Sequence, residues 1–232
     1  MAISLFLNTR KRTSLLDNLL SSLYTTAYDP NSIEVFITVD NDDDETKKFL
    51  DKYKDNNINI RSIERPSNLH VSINEMASMA TGDFLFVLND DVIFRTYHWD
   101  KKIIESYDPN EILYISTNDN SIDKTKSRRY ASFPILTRGA YEALGFFMSE
   151  KFVSHGGDVH LWRIFDSLGL VRHSQVFLDH VLHKDSQSIE YMRQEETAQE
   201  AIKMTFETFV DCWDEDISDE ITRVSNRINN KA

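Results

Sequence analysis

The sequence is poor in several residues and patterns, and each scarcity excludes something. A single cysteine, Cys212, rules out an internal disulfide and fits a reducing compartment, with Cys212 itself read as a small apolar side chain. No run approaches the ~20 consecutive apolar residues needed to cross a bilayer. The apolar run at residues 3–7 meets charge at Arg10 and has neither a basic leader nor a cleavage site. The expectation is therefore a cytoplasmic chain with no signal peptide and no transmembrane segment. None of the six glycines falls in the turn after that run, where Asn8-Thr9-Arg10-Lys11-Arg12 stands. This counts against the glycine-rich phosphate loop of a nucleotidyl-transfer scaffold. Basic residues are also outnumbered, 26 against 38 acidic, and a net charge of −12 repels the phosphates of nucleic acid and anionic membranes. General nucleic-acid binding is disfavoured. A small phosphorylated substrate remains admissible if local cations or a bound metal reverse the sign inside one cleft.

What is present is core material. The 232 residues are 41% hydrophobic and 11% aromatic, enough for one full-sized domain with an appendage. Short β-rich runs alternate with helical patterns, the mark of an α/β domain with a mostly parallel sheet flanked by helices. Strands are expected at residues 3–7, 33–39, 58–63, 84–88, 112–116 and 176–182. Helices are expected after Thr13, which reads as a cap for the stripe of Leu15, Leu16, Leu19, Leu20 and Leu23, and at 45–53, 71–80, from about 138, and at 158–168. The polar segment 117–129 reads as a long loop. After Ser188 the pattern turns amphipathic, with helices expected at 188–211 and 218–229. The division is thus a main α/β domain over 1–187 and a helical extension over 188–232. In that extension Phe206, Phe209 and Trp213 recur at helical spacing. Packing onto the main domain is favoured over pairing with a second copy, and a homo-oligomer is the alternative.

Two acidic groups end apolar strands, and in open α/β sheets ligands bind beyond the carboxyl ends of strands. After Phe84-Leu85-Phe86-Val87-Leu88, apolar on both alternating faces, comes Asn89-Asp90-Asp91, oxygen ligands suited to a hard divalent cation. An isolated Asp-Asp pair would more often be a solvated turn. At the other strand end, Asp40 is placed to accept hydrogen bonds from a ribose or base. The run Asp40 to Glu45 cannot be a calcium hand, because Glu45 occupies the position that needs glycine. Residues 42–45 read instead as acids of a helix start. Asp158, after Gly156-Gly157, reads by composition as a helix N-cap behind a flexible hinge. His180 and His183 sit near a strand end, where histidine is more often structural but can complete a metal site or contact a diphosphate. Lys124, Lys126, Arg128 and Arg129 make a cationic patch in an acidic chain; such a run is usually solvated, and over a diphosphate it would act as a lid.

Four segments in order resemble a GT-A-fold glycosyltransferase of the large inverting class that uses nucleotide-sugar donors. Residues 3–10, ending Asn-Thr-Arg, resemble its first strand and donor-binding turn. Residues 33–44, ending Val-Asp-Asn-Asp-Asp-Asp, resemble the second strand with its nucleotide-binding Asp. Residues 74–91, from Asn-Glu-Met-Ala through Asn-Asp-Asp, resemble the helix and strand preceding a metal-binding DxD motif. Residues 133–168, with Phe-Pro-Ile-Leu-Thr-Arg-Gly and Gly-Gly-Asp-Val-His-Leu-Trp, resemble the acceptor-side segment. With the late histidine the match covers about residues 3–186. Asn89 departs from the pattern, standing where many relatives carry the first Asp of DxD. The resemblance implies an inverting transfer from a nucleotide-sugar, UDP-sugar foremost, to a glycan or other hydroxyl acceptor. It implies Asp158 as general base, donor contacts from Thr9, Arg10, Asp40, Asn74, Asp90, Arg128 and Arg129, and a Mn²⁺ or Mg²⁺ held by Asp91 with His180 or His183. A non-catalytic nucleotide-sugar or glycan-binding module is the rival reading, made plausible by Asn89.

Overall fold

The leucine stripe forms as its spacing requires: Leu16, Leu19, Leu20 and Leu23 are fully buried on one face of a helix over Thr13–Thr26 (α1). Thr13 does not cap it. The N-cap is Arg12, with no side-chain capping bond, and the chain enters through Lys11 at φ 51. The computed structural model describes residues 1–54, 56–119, 131–152, 156–181 and 215–230. The other elements are β1 (Ile3–Thr9), β2 (Ile33–Asp40), α2 (Asp44–Leu50), β3 (Ile58–Ile63), α3 (Leu69–Met79), β4 (Phe84–Val87), β5 (Val92–Phe94), α4 (Trp99–Ser106), β6 (Tyr114–Asp119), β7 (Ile135–Thr137), α5 (Arg138–Leu144), α6 (Gly157–Ser167), β8 (Val171–His180) and α7 (Ser218–Asn229).

The eight strands form one sheet in the order β3-β2-β1-β4-β7-β6-β8-β5. The block β3-β2-β1-β4 is parallel throughout, as is β6 with β8. β7 runs antiparallel to both β4 and β6, and β5 antiparallel to β8, so the sheet is mixed, with four of its seven pairings among the described residues parallel. The two strands responsible, β5 and β7, have three residues each, too few to register as a periodicity. α4 was likewise not anticipated. β6 extends past its expected end to Asp119 because Asn118 and Asp119 pair with β8.

Alternation in the strands sorts the core into two layers. Ile3, Leu5, Leu7, Val35, Ile37, Phe84 and Phe86 face α1 and Trp99 of α4. Phe6, Phe36, Leu85, Val87, Tyr114 and Leu136 face α3, α5, α6 and Val224 of α7. β4 is buried at all four positions, as an apolar run on both faces requires. α7 is pinned by the Arg223 Nη1 bond to the Leu144 carbonyl (2.8 Å) and packs against the second layer. Among the described residues no helix is long and apolar enough to cross a membrane. The expected helix over 188–211, its Phe206, Phe209 and Trp213, and the boundary at 187/188 lie outside the described residues.

Beneath α7, His160 of α6 is fully buried, its ring nitrogens without hydrogen-bond partners among the described residues and Glu220 Oε1 at 4.0 Å. Burial first, then Lys151 and Arg163, pushes its pKa down to about 4, against the opposing pull of Glu215. The unfolded chain takes up the proton near its ordinary value of about 6.5, so stability is lost as pH falls from about 6.5 toward 4. The loss should reach on the order of 3 kcal/mol. Thermal melts across this range should show the wild type falling more steeply than His160→Leu; parallel curves would acquit His160.

Candidate functional site

The site is built where three adjacent parallel strands, β2, β1 and β4, release their carboxyl ends. β1 passes into Thr9-Arg10-Lys11-Arg12, β2 ends at Asp40, and β4 runs on through Leu88, whose N–H still donates to the Phe6 carbonyl at 2.9 Å, into Asn89-Asp90-Asp91. Neighbouring strands lie about 4.8 Å apart, which puts these turns within side-chain reach of one another.

Asp90 is almost wholly buried, and both oxygens are held: Thr9 Oγ1 donates to Oδ2 at 2.8 Å and Arg12 Nη1 to Oδ1 at 3.2 Å. Burial pushes its pKa up, and the Arg12 charge and the Thr9 bond pull against that. Asp91, beside it and equally buried, receives His180 Nε2 at 3.1 Å on Oδ2, while the backbone is tied by Val181 N–H donating to the Asp91 carbonyl at 2.9 Å. Asp91 Oδ1 has no hydrogen-bond partner among the described residues. His180 reaches this place because β5 pairs with β8 in a register that sets Val92 opposite His180. Its ring also meets Phe133 edge-on, centroids 4.9 Å apart.

At the β2 end, Arg10 Nη1 donates to Asp40 Oδ2 at 2.7 Å, and its guanidinium grips Asp42 with both terminal nitrogens, Nη2 to Oδ2 at 2.8 Å. The bond to Asp42 foremost, outweighing burial and joined by that to Asp40, raises the Arg10 pKa, and the same bond lowers that of Asp42. Asp42 is thus a tether for Arg10 rather than a helix-start acid. Asp43 does cap α2, accepting from Thr46 N–H at 3.1 Å, and its other oxygen takes Lys11 N–H at 2.6 Å. That bond holds Lys11 in the left-handed region, a strained conformation for a side-chain-bearing residue that turns Arg10 toward β2 and Arg12 toward β4.

Asp158 is not the N-cap of α6. Gly156 is, at φ 87, and Asp158 stands in the first turn, partly exposed. The glycine pair is not a free hinge: Gly156 needs the left-handed region, and a Cβ on Gly157 would lie 2.5 Å from His70 Cε1. Asn74 is committed elsewhere. Its Oδ1 accepts from Phe147 and Met148 N–H, both at 2.9 Å, and its Nδ2 donates to the Met148 carbonyl and Glu150, so it holds the segment after α5 instead of facing the strand ends. His183, Lys124, Lys126, Arg128 and Arg129 lie outside the described residues, as does the expected loop from residue 120 onward. Arg12 is the functional candidate that sequence reasoning passed over; the signal was a second arginine following the first strand at the same turn.

The arrangement offers one buried carboxylate oxygen without a hydrogen-bond partner among the described residues, an imidazole sharing the same carboxylate, and a second carboxylate held adjacent. Among the described residues no three metal-ligating side chains converge into a ready-made cage. A hard cation here fits the mode in which one or two carboxylates act together with substrate phosphates and water. Thr9→Val keeps the strand shape and leaves Asp90 Oδ2 without its donor, which should cost about 1–3 kcal/mol. Chemical denaturation reads this directly, and an unchanged midpoint would mean that Thr9 does not support Asp90.

The family model described as Glycosyl transferase family 2 matches residues 4–163. Comparison of the sequence with curated proteins finds no match. Among solved structures, S. aureus TarS is similar with a TM-score of 0.60 at 14% identity, over 77% of this chain and 35% of TarS. TarS 1–349 in complex with UDP gives 0.60 at 14%, over 78% of this chain and 58% of that one. The chain therefore spans between a third and three fifths of the TarS chains it matches. A mannosyltransferase from Pyrobaculum calidifontis, solved with GDP-Man and Mn²⁺, gives 0.64 at 13%, over 98% of this chain and 74% of that one. These likenesses establish the GT-A arrangement of the sheet and its flanking helices.

Proposed function

The chain belongs to glycosyltransferase family 2, and from that premise we propose that it transfers a sugar from a nucleoside-diphosphate sugar to an acceptor hydroxyl, with inversion and with divalent-metal assistance. The observation that carries this reading is the orphaned Asp91 Oδ1 beside His180, next to Asp90 clamped by Thr9 and Arg12, at the carboxyl edge of β1 and β4. A buried carboxylate oxygen without a donor is costly unless a ligand completes it. Asp91 and His180 would hold a Mn²⁺ or Mg²⁺, which supplies Lewis-acid stabilisation of diphosphate charge when bound. UDP-sugar is the proposed donor: TarS 1–349 was solved with UDP and with UDP-GlcNAc. GDP-sugar, which the mannosyltransferase holds, is the donor to test against it.

Each residue then has a task that its position supports. Arg10, locked on Asp40 and Asp42, keeps the β2 end in one conformation, so Asp40 presents its carboxylate to the nucleoside already oriented. Thr9 and Arg12 keep Asp90 at the edge, where its carboxylate faces the donor ribose. Asp158, partly exposed in the first turn of α6, accepts the proton of the acceptor hydroxyl as its oxygen attacks the anomeric carbon. The bond from that carbon to the diphosphate oxygen breaks, and the nucleoside diphosphate leaves.

Asp158→Asn keeps shape and side-chain volume. It should leave donor affinity unchanged and lower turnover by on the order of 10²–10⁴. Turnover is read as nucleoside diphosphate released from UDP-N-acetylglucosamine or GDP-mannose with Mn²⁺. Near-normal turnover by the folded variant would remove Asp158 from the chemistry, and absence of turnover by the wild type with either donor would favour the binding-module reading.

A further inference from the structure

α6 is entered through Gly156 and Gly157, which have no side chains, so at the very start of the helix its depth is set by what packs against the backbone; Val159 and His160, further along the first turn, are buried. The neighbour packed against that start is His70, the second residue of α3 and nearly buried. Its backbone N–H is fixed by the Asn68 side chain at 2.9 Å. Its Nδ1 lies 2.9 Å from the Ser149 carbonyl, which can only accept, so Nδ1 carries the proton and the ring has a single orientation. The opposite edge of the ring abuts Gly157: a Cβ there would stand 2.5 Å from Cε1, 3.0 Å from Nε2 and 3.0 Å from Met148 Sδ. His70 is therefore wedged between the 147–150 segment and the residue that immediately precedes Asp158.

The other end of this wedge reaches the donor edge. Ser72, two residues on, donates to Asn8 Oδ1 at 2.7 Å, and Asn8 immediately precedes Thr9. Asn68 Nδ2 donates to the Glu150 carbonyl at 2.8 Å, and Asn74 grips the same segment from the next turn. The amino end of α3 thus joins the turn that clamps Asp90 to the segment and helix start that present Asp158.

We propose that His70 is a positioning residue for the reaction, setting the height of the first turn of α6 and through it the place at which the Asp158 carboxylate meets the acceptor hydroxyl. This rests on the reading of Asp158 as the base. His70 touches neither donor nor acceptor in this role; it acts through the Gly157 contact. Misplacement of a catalytic group by about 1 Å is enough to lower turnover roughly 10²-fold.

The test is a double-mutant cycle with Asp158→Asn, reading donor affinity by calorimetry and release of nucleoside diphosphate from UDP-N-acetylglucosamine or GDP-mannose with Mn²⁺. His70→Ala should lower kcat by about 10- to 100-fold with donor affinity within about twofold of wild type. On the Asp158→Asn background the same change should alter the residual rate less than about twofold, because the group it positions is already gone. His70→Asn, whose Nδ2–H can still reach the Ser149 carbonyl but which leaves the space against Gly157 unfilled, should lower kcat as His70→Ala does, and it carries the test if His70→Ala does not fold. A merely structural role would lower donor binding and turnover together and act equally on both backgrounds; either result overturns the proposal. If Asp158→Asn alone keeps normal turnover, the base assignment fails first. If Asp158→Asn loses turnover and the His70 variants do not, only the positioning role fails.

Discussion

Asp90 is a carboxylate almost entirely withdrawn from water just beyond a strand buried at every position, and it stays there because two donors from the neighbouring turn hold both its oxygens. Withdrawing a carboxylate from water costs several kcal/mol if it is left unpaired, so the Thr9 and Arg12 bonds are a condition of the local structure and not an ornament on it. They join β1 to the loop after β4 beyond the last backbone pairing of those strands. Much of the site follows from that junction. Arg12 pointing to Asp90 and Arg10 pointing to Asp40 require the chain to reverse between them, which Lys11 does in the left-handed region under the grip of Asp43.

The same junction places Asp91. Its predecessor is clamped and its own carbonyl is bonded to Val181; Asp91 turns toward His180, and its Oδ1 is left without a donor among the described residues. A protein that buries a carboxylate oxygen in this way accepts a cost in the apo state that a cation and a diphosphate would offset together.

The parallel half of the fold was legible in the sequence because its signals are long. β1, β2, β3 and β4 run four to eight residues with apolar alternation or continuous burial, and α1 carries four leucines on one stripe. The antiparallel half was not, because β5 and β7 are three residues each and owe their existence to partners distant in sequence. The acidic ends of β2 and β4 were also legible, since a carboxylate after a buried strand is a local pattern. What single residues do there was less so. Asp42 read as a helix acid and holds Arg10; Asn74 read as a donor contact and holds Met148; Asp158 read by composition as a cap and stands inside the first turn. Each depends on which side chain arrives from another element, and spacing along the chain carries no record of that. Arg12 and His70 were missed for the same reason.

On the proposed function, the Asp90 and Asp91 edge binds a nucleotide-sugar together with a divalent cation. The direct measurement is calorimetric titration of UDP-N-acetylglucosamine and of GDP-mannose with and without Mn²⁺, on the wild type and on Asp91→Ala. Mn²⁺ should tighten binding of one donor to the wild type, and this increment should vanish in Asp91→Ala while metal-free binding survives. An equal Mn²⁺ increment in both proteins would contradict the proposal.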